Sequence, residues 1–214
     1  MKPIGVFGGT FDPIHFGHIK PVLDVCDFTG ISEVRYIPNA RPGHRSQPQT
    51  SAIHRWNMAV LALDCYTELI ADSREIKRAG TSYMVTTLRS LRSEFAMSPL
   101  CLILGIDAFL QIQRWHWWAD VLKLANIVVM SRPGSKFPYL LPDWWFRALE
   151  ANPRKLYERM SGSIFHVTVD RVDISATELR NRISRGDDCS EALPGTVYKY
   201  IKQHNLYNDL GGTS

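Results

Sequence analysis

The run Ile4-Gly5-Val6-Phe7-Gly8-Gly9-Thr10-Phe11-Asp12-Pro13-Ile14-His15-Phe16-Gly17-His18 sets a short apolar segment, a glycine pair and two histidines one after another. Residues 4–7 read as a strand. Gly8 and Gly9 lack a Cβ, so the backbone at this strand end can approach a ligand closely. Ile19, Val22, Leu23 and Cys26 then recur at i, i+3, i+4 and i+7, which is helical spacing. Pro21 is tolerated only near a first turn, so the helix is predicted to begin around Gly17 or His18. Strand, glycine loop and helix, in that order, is the opening unit of an α/β fold.

The same rhythm continues outward. Residues 34–37 form a second strand, followed by a loop over 38–49 and a helix over 51–63. Leu69–Ala71 and Arg74–Lys77 read as extended. Thr81 or Ser82 is the candidate cap of a helix carrying Met84, Leu88, Leu91 and Phe95. Residues 100–104 and 127–130 are continuous apolar runs, the pattern of parallel strands covered on both faces. Residues 165–169 alternate as a weaker strand, and helices near 177–185 and 194–205 finish the chain.

The segment 135–162, rich in Pro and Trp, reads as a surface insertion with a short helix around 143–151; there is no internal repeat. The expectation is an α/β, doubly wound (Rossmann-like), mostly parallel sheet with helices on both faces. It occupies a single domain over residues 1–214, with a small C-terminal helical part over 174–214. Ligands bind such sheets at the carboxyl ends of the strands. Residues 8–18, 42–45, 105–107, 131–133 and 173–180 all fall there.

At 214 residues, a chain of this kind buries roughly 70% of its extended surface. With 45% hydrophobic and 21% charged residues it is ordinary globular material, which excludes a disordered tail or a fibre. The 25 Lys and Arg against 21 Asp and Glu leave +4. That bias is too small for a nucleic-acid binder, yet compatible with polyphosphate substrates. Cys26, Cys65, Cys101 and Cys189 lie far apart with no CxxC spacing, so reduced thiols and a cytoplasmic setting are expected. Glycines interrupt the N-terminus before a signal-peptide core can form, and no apolar run reaches membrane-spanning length.

Two runs carry chemistry. His15 and His18, three apart at a helix start, share one face near the positive end of the macrodipole. Two imidazoles and helix-start N–H groups suit phosphate oxygens whose charge grows in a transition state. There is no G-x-G-x-x-G and no Walker A loop. The plainer alternative is a glycine turn with two helix-start histidines. The second run is Ile174-Ser175-Ala176-Thr177-Glu178-Leu179-Arg180. Ser175 and Glu178 have capping-box spacing, which by itself only starts a helix. The same geometry presents amides, the Ser175 and Thr177 hydroxyls and the planar Arg180 guanidinium to a phosphate.

Together the runs resemble the nucleotidyltransferase superfamily with the (H/T)xGH signature, matched by His15-Phe16-Gly17-His18, and its late ISxTxxR motif, matched by Ile174 to Arg180. Within it the chain looks like the bacterial nicotinate-nucleotide adenylyltransferases. The GGTFDPIHxGH opening, Thr81-Ser82-Tyr83, Gly105-Ile106-Asp107, Trp115 and Arg132-Pro133-Gly134 carry that likeness over nearly the whole chain. It implies transfer of AMP from ATP to nicotinate mononucleotide, giving deamido-NAD and pyrophosphate by direct in-line attack, with Mg²⁺ held through the ATP phosphates. Such a reaction needs positioning and charge stabilisation more than an activated nucleophile.

By the same resemblance, His15 and His18 stabilise the α-phosphate and the departing pyrophosphate. Ile174, Ser175, Thr177 and Arg180 hold the outer phosphates, and the backbone of Gly8, Gly9, Thr10 and Phe11 lies against the nucleotides. His44 and Arg45 stand where the family shows Pro-Pro-His and a basic residue, with Gly43 in place of the second Pro. Arg55 matches a family position and reads equally as a surface charge.

Trp115 would stack on the pyridine ring, a use of its flat, polarisable face. Packing is an equal alternative for Trp117 and Trp118. The turn at Thr81, Ser82 and Tyr83 would receive the nicotinate carboxylate. Gly105 and Asp107 belong to the acceptor site, with Asp107 accepting from a hydroxyl or amine, and Arg132 contacts a phosphate or ribose.

The nearest alternative is a related HxGH adenylyltransferase acting on nicotinamide mononucleotide or phosphopantetheine. A class I aminoacyl-tRNA synthetase fragment leaves no room for a tRNA-binding part. A nucleic-acid module built on Arg114-Trp115-His116-Trp117-Trp118 lacks an extended basic stripe. The expected partners are therefore ATP and nicotinate mononucleotide, without nucleic acid or membrane; a homo-oligomer is left open.

Overall fold

A computed structural model describes residues 2–41, 47–135 and 142–208. Seven strands run parallel in one sheet: β1 (Ile4–Gly9), β2 (Val34–Pro38), β3 (Leu69–Ala71), β4 (Leu100–Gly105), β5 (Asn126–Ser131), β6 (Leu149–Glu150) and β7 (Ile164–Thr168). Their order is β3-β2-β1-β4-β5-β7-β6. The chain winds outward from β1 in one direction and then, from β4, in the other. The β1/β4 junction is thus the topological switch point, where a doubly wound sheet opens a crevice.

Side-chain alternation sorts the core into two layers, one on each face. Cys101, Ile103, Val128, Phe165 and Val167 face one cluster. Leu100, Leu102, Leu104, Ile127, Val129 and Ile164 face the other. The continuous apolar runs of β4 and β5 are required because helices cover both faces. α1 (Phe16–Thr29), α2 (Ala52–Leu63), α8 (Ala176–Ser184) and α9 (Gly195–Gln203) supply the first layer; α4 (Met84–Glu94) and α6 (Trp118–Leu124) supply the second. The expected fold class is observed, and the sheet is entirely parallel.

Several local expectations are corrected. α1 starts at Phe16, so Pro21 lies inside the helix rather than at its first turn. Burial of Ile19, Val22, Val25 and Cys26 sustains the helix through the lost donor. Arg74–Lys77 is a short helix, α3, not extended chain. Neither Thr81 nor Ser82 caps α4; the N-cap is Tyr83, without a side-chain bond.

In the segment expected as a surface insertion, α7 (Asp143–Ala148) buries Trp145, β6 pairs with β7 at the sheet edge, and Leu156 is fully buried. The segment therefore contributes to sheet and core as well as to surface. α5 (Ile106–Leu110) follows β4 directly.

Candidate active site

β1 delivers the glycine pair to the crevice, and the chain then turns sharply into α1. Phe11 takes a left-handed backbone conformation, φ 51°, with its ring fully buried. A Cβ on Gly9 would stand 2.6 Å from that ring, so only glycine fits there. Phe11 thus offers its backbone to the crevice while its ring, edge-on to His18 at 5.1 Å, supports the imidazole from behind.

His15 is the N-cap of α1 and is 4% exposed. Its ring lies 3.8 Å from that of His18, centroid to centroid. Gly17 permits this arrangement, since a Cβ there would come within 2.9 Å of His15 Cε1 and Nδ1. Burial pushes the His15 pKa down to about 4, so the ring is neutral at pH 7 and can donate one N–H. Its Nδ1 has no hydrogen-bond partner among the described residues.

The second run arrives at the same place from the far end of the chain. Arg180 Nη1 donates to the Asp12 carbonyl at 2.8 Å, and Nη2 to Thr177 Oγ1 at 3.3 Å. Arg180 Nε is buried without a partner among the described residues. Phe16 N donates to Ala192 O at 3.0 Å, and a Cβ on Gly17 would meet Ile174 at 3.5 Å. Ser175 is the N-cap of α8, yet its side chain makes no capping bond. The capping box is therefore not formed, and the hydroxyl remains exposed beside the amides of α8. His15 Nδ1 at the opening of α1 and Arg180 Nε inside α8 are thus both buried nitrogens without a partner among the described residues.

Across the switch point lies a cavity of about 430 Å³. Gly8, Gly9 and Thr10 form one wall; Ser82, Tyr83, Asp107 and Trp115 belong to the others. Gly105, at the end of β4, has no atom within 4 Å of where a Cβ would stand. Ser82 Oγ accepts from the amides of Ala40 and Arg41 at 3.1 and 3.3 Å, and Ser82 N donates to Arg41 O at 2.9 Å. The hydroxyl expected to cap α4 is thus used to pin the turn before α4 to the loop after β2.

Tyr83 stacks on His116 (4.4 Å), His116 on Trp117 (4.6 Å), and Arg89 lies over Trp117 (4.6 Å). Trp117 itself is 56% exposed, and Trp118 packs against Trp144 at 5.3 Å; neither lines the cavity. Thr81 is exposed and outside the lining. Arg132 is also outside it, its Nη1 held 3.2 Å from Asp173 Oδ1 beside the opening of α8. His44 and Arg45 lie outside the described residues.

Sequence reasoning missed Asn39, Glu75 and Gln111, which line the cavity. Asn39 immediately follows β2, where strand-end logic would have found it; Glu75 and Gln111 carry no local signal. Arg55 is not a surface charge. It is 1% exposed, and burial lowers its pKa against the opposing influence of Asp12. Asp12 is itself buried, accepting from Gln49 N at 2.9 Å and from Tyr207 OH at 2.7 Å.

The switch-point crevice is thus flanked by the paired imidazoles at the start of α1 and by the opening of α8. The chain belongs to the cytidylyltransferase-like family, whose profile matches residues 6–182. It is similar, more particularly, to relatives described as probable nicotinate-nucleotide adenylyltransferases. One from Pectobacterium atrosepticum is 39% identical over 94% of this chain and 96% of that protein. One from Hydrogenovibrio crunogenus is 38% identical over 95% and 97%. Among solved structures, the Plasmodium falciparum nicotinic acid mononucleotide adenylyltransferase complexed with NaAD superposes with a TM-score of 0.72 at 19% identity, covering 97% of this chain and 98% of that one. At that identity the likeness is one of fold.

Proposed function

We infer that this chain is a nicotinate-nucleotide adenylyltransferase, transferring AMP from ATP to nicotinate mononucleotide in NAD biosynthesis. An oxygen of the mononucleotide phosphate attacks the ATP α-phosphorus. The bond from that phosphorus to the bridging oxygen breaks on the opposite side, and pyrophosphate leaves with its electron pair. No covalent enzyme intermediate is needed.

The observation that carries this reading is the continuity of one segment. Gly8, Gly9 and Thr10 wall the acceptor cavity, and six residues on from Gly9 the same segment presents His15 beside His18. An acceptor phosphate and a triphosphate bound on either side of that segment are neighbours, so the rate enhancement comes from positioning and charge stabilisation.

In this reading His15 donates to a phosphate oxygen as a neutral imidazole, and His18 sits beside it against the charge that develops at the α-phosphorus. Ser175, Thr177 and Arg180, with the backbone at Ile174, take the outer phosphates, and the partnerless Nε of Arg180 supports that role. Trp115 stacks on the pyridine ring. The amides at Ser82 and Tyr83 receive its carboxylate, and Asp107 accepts from a ribose hydroxyl. His44, Arg45, Thr81 and Arg132 remain in the reading through their sequence positions.

Among the described residues no three His, Cys, Asp or Glu side chains converge on a metal site. In the proposed reaction a Mg²⁺ ion would be carried on the triphosphate oxygens, where it would supply charge neutralisation. No helix among the described residues is long and apolar enough to cross a membrane, and the four cysteines are free thiols; a cytoplasmic setting is part of the proposed reading.

The test is pyrophosphate release by the purified protein with Mg²⁺ and ATP, comparing the acid and amide mononucleotides at matched concentrations. Faster release with the acid is expected. No release with either would overturn the assignment.

A further inference from the structure

Arg55, in the first turn of α2, is held in a cradle made of backbone oxygen. Its Nη1 donates to Thr10 O and Asn39 O, both at 2.7 Å, and Nη2 to Ala40 O at 3.3 Å. Nε donates to Thr50 O at 3.2 Å. No carboxylate lies within ion-pair distance of it among the described residues. The buried Asp12 acts on it only beyond ion-pair distance, so the hydration lost on burial is replaced mainly by the hydrogen bonds to carbonyls.

The cradle has two ends. Thr10 follows β1 and continues toward His15. Asn39 and Ala40 follow β2, and the amides of Ala40 and Arg41 grip Ser82 Oγ. One guanidinium thus ties the segment leading to the histidines to the turn on the acceptor side. The fork geometry of arginine matters, because three nitrogens address carbonyls on three separate stretches of backbone; an ammonium reaches fewer.

We propose that Arg55 is a positioning residue that sets the spacing between the ATP wall and the acceptor wall, so that it governs turnover rather than the binding of either nucleotide. The proposal rests on the adenylyltransferase reading. Displacing two reactants by about 1 Å costs on the order of a hundredfold in rate, while each wall by itself still binds its own ligand.

The experiment compares wild type, Arg55→Lys and Ser82→Ala by kcat, by the KM of ATP and of nicotinate mononucleotide, and by thermal melting, followed by the double variant. Arg55→Lys is expected to lower kcat by about 30- to 100-fold with both KM values within about threefold. Ser82→Ala cuts the chain of bonds at its far end and leaves the buried cradle intact. It is expected to lower kcat as well as raise the acceptor KM.

In the double variant the two kcat losses are expected to combine to less than their product, because both cut one linkage. An Arg55→Lys protein with wild-type kcat and only a lower melting temperature would make the residue merely structural and overturn the proposal. If Arg55→Lys does not fold, Ser82→Ala decides: an acceptor KM change with kcat unaltered overturns it. A wild-type protein inactive with both mononucleotides defeats the functional reading itself, and this proposal with it.

Discussion

The two halves of the cleft are built on opposite plans. On the side proposed for the triphosphate, His15 is nearly sealed, the half-buried His18 ring meets the Phe11 ring edge-on, and the half-buried Arg180 is anchored to the Asp12 carbonyl, with the exposed Ser175 and Thr177 at the rim. On the side proposed for the acceptor, half-buried Tyr83 stacks on the exposed His116 and Trp117, with Arg89 over the end, beside an open cavity. The difference fits what each half would do in the proposed reaction. Charge that develops at one phosphorus is stabilised by dipoles already in place, and their preorganisation requires rigid packing behind them. A flat aromatic ring and a carboxylate are gripped by stacking and amides, which tolerate an open surface.

That contrast is broken or sharpened by substitution on each side. The largest effect belongs to the packed half. His18→Ala is expected to lower turnover by on the order of a hundredfold or more with its melting curve retained, the scale of losing one preorganised donor. Steady-state pyrophosphate release together with circular dichroism checks it, and near-wild-type turnover would remove His18 from the mechanism.

The packed half also has a cost in acid. Folded His15 protonates near 4, against 6.5 for an unperturbed ring. As pH falls below about 6.5 the unfolded chain takes the proton first, so stability declines until the folded ring protonates near 4. The loss amounts to about 3 kcal/mol, and His15 contributes none of it above neutrality. Urea unfolding between pH 4.5 and 7.5 is expected to show a shallower acid-side decline in His15→Asn than in wild type. Superimposable curves would mean that the ring is not sealed.

On the open half, Trp115→Ala is expected to raise the KM for nicotinate mononucleotide by one to two orders of magnitude, with the ATP KM little changed, as for the loss of one stack. An unchanged acceptor KM would return Trp115 to packing.

How much of this was legible in the chain depended on range. The glycine pair, the histidines three apart and the continuous apolar strands are local patterns, and local patterns dictate local geometry; the strand ends then gather the loops by topology alone. Ser82 shows the limit: a serine just ahead of a helical run reads as a cap, but its hydroxyl is claimed by amides about forty residues earlier. Arg74–Lys77 misled in the same way, since a four-residue helix has too little periodicity to register. Trp145 and β6 sat in a stretch whose prolines and tryptophans suggested surface, because burial against a sheet edge is not a property of composition.

The sequence by itself determined the parallel sheet, the switch point and the meeting of two distant motifs at the carboxyl ends of the strands, since periodicity and chain connectivity leave few other topologies. Only the tertiary structure decided that Arg55 is an interior group rather than a surface charge, that the His15 ring is buried, and that the turn before α4 is bonded to the loop after β2. Those are facts of desolvation and of hydrogen bonds between residues remote in the chain, and neither is written in any short stretch of it.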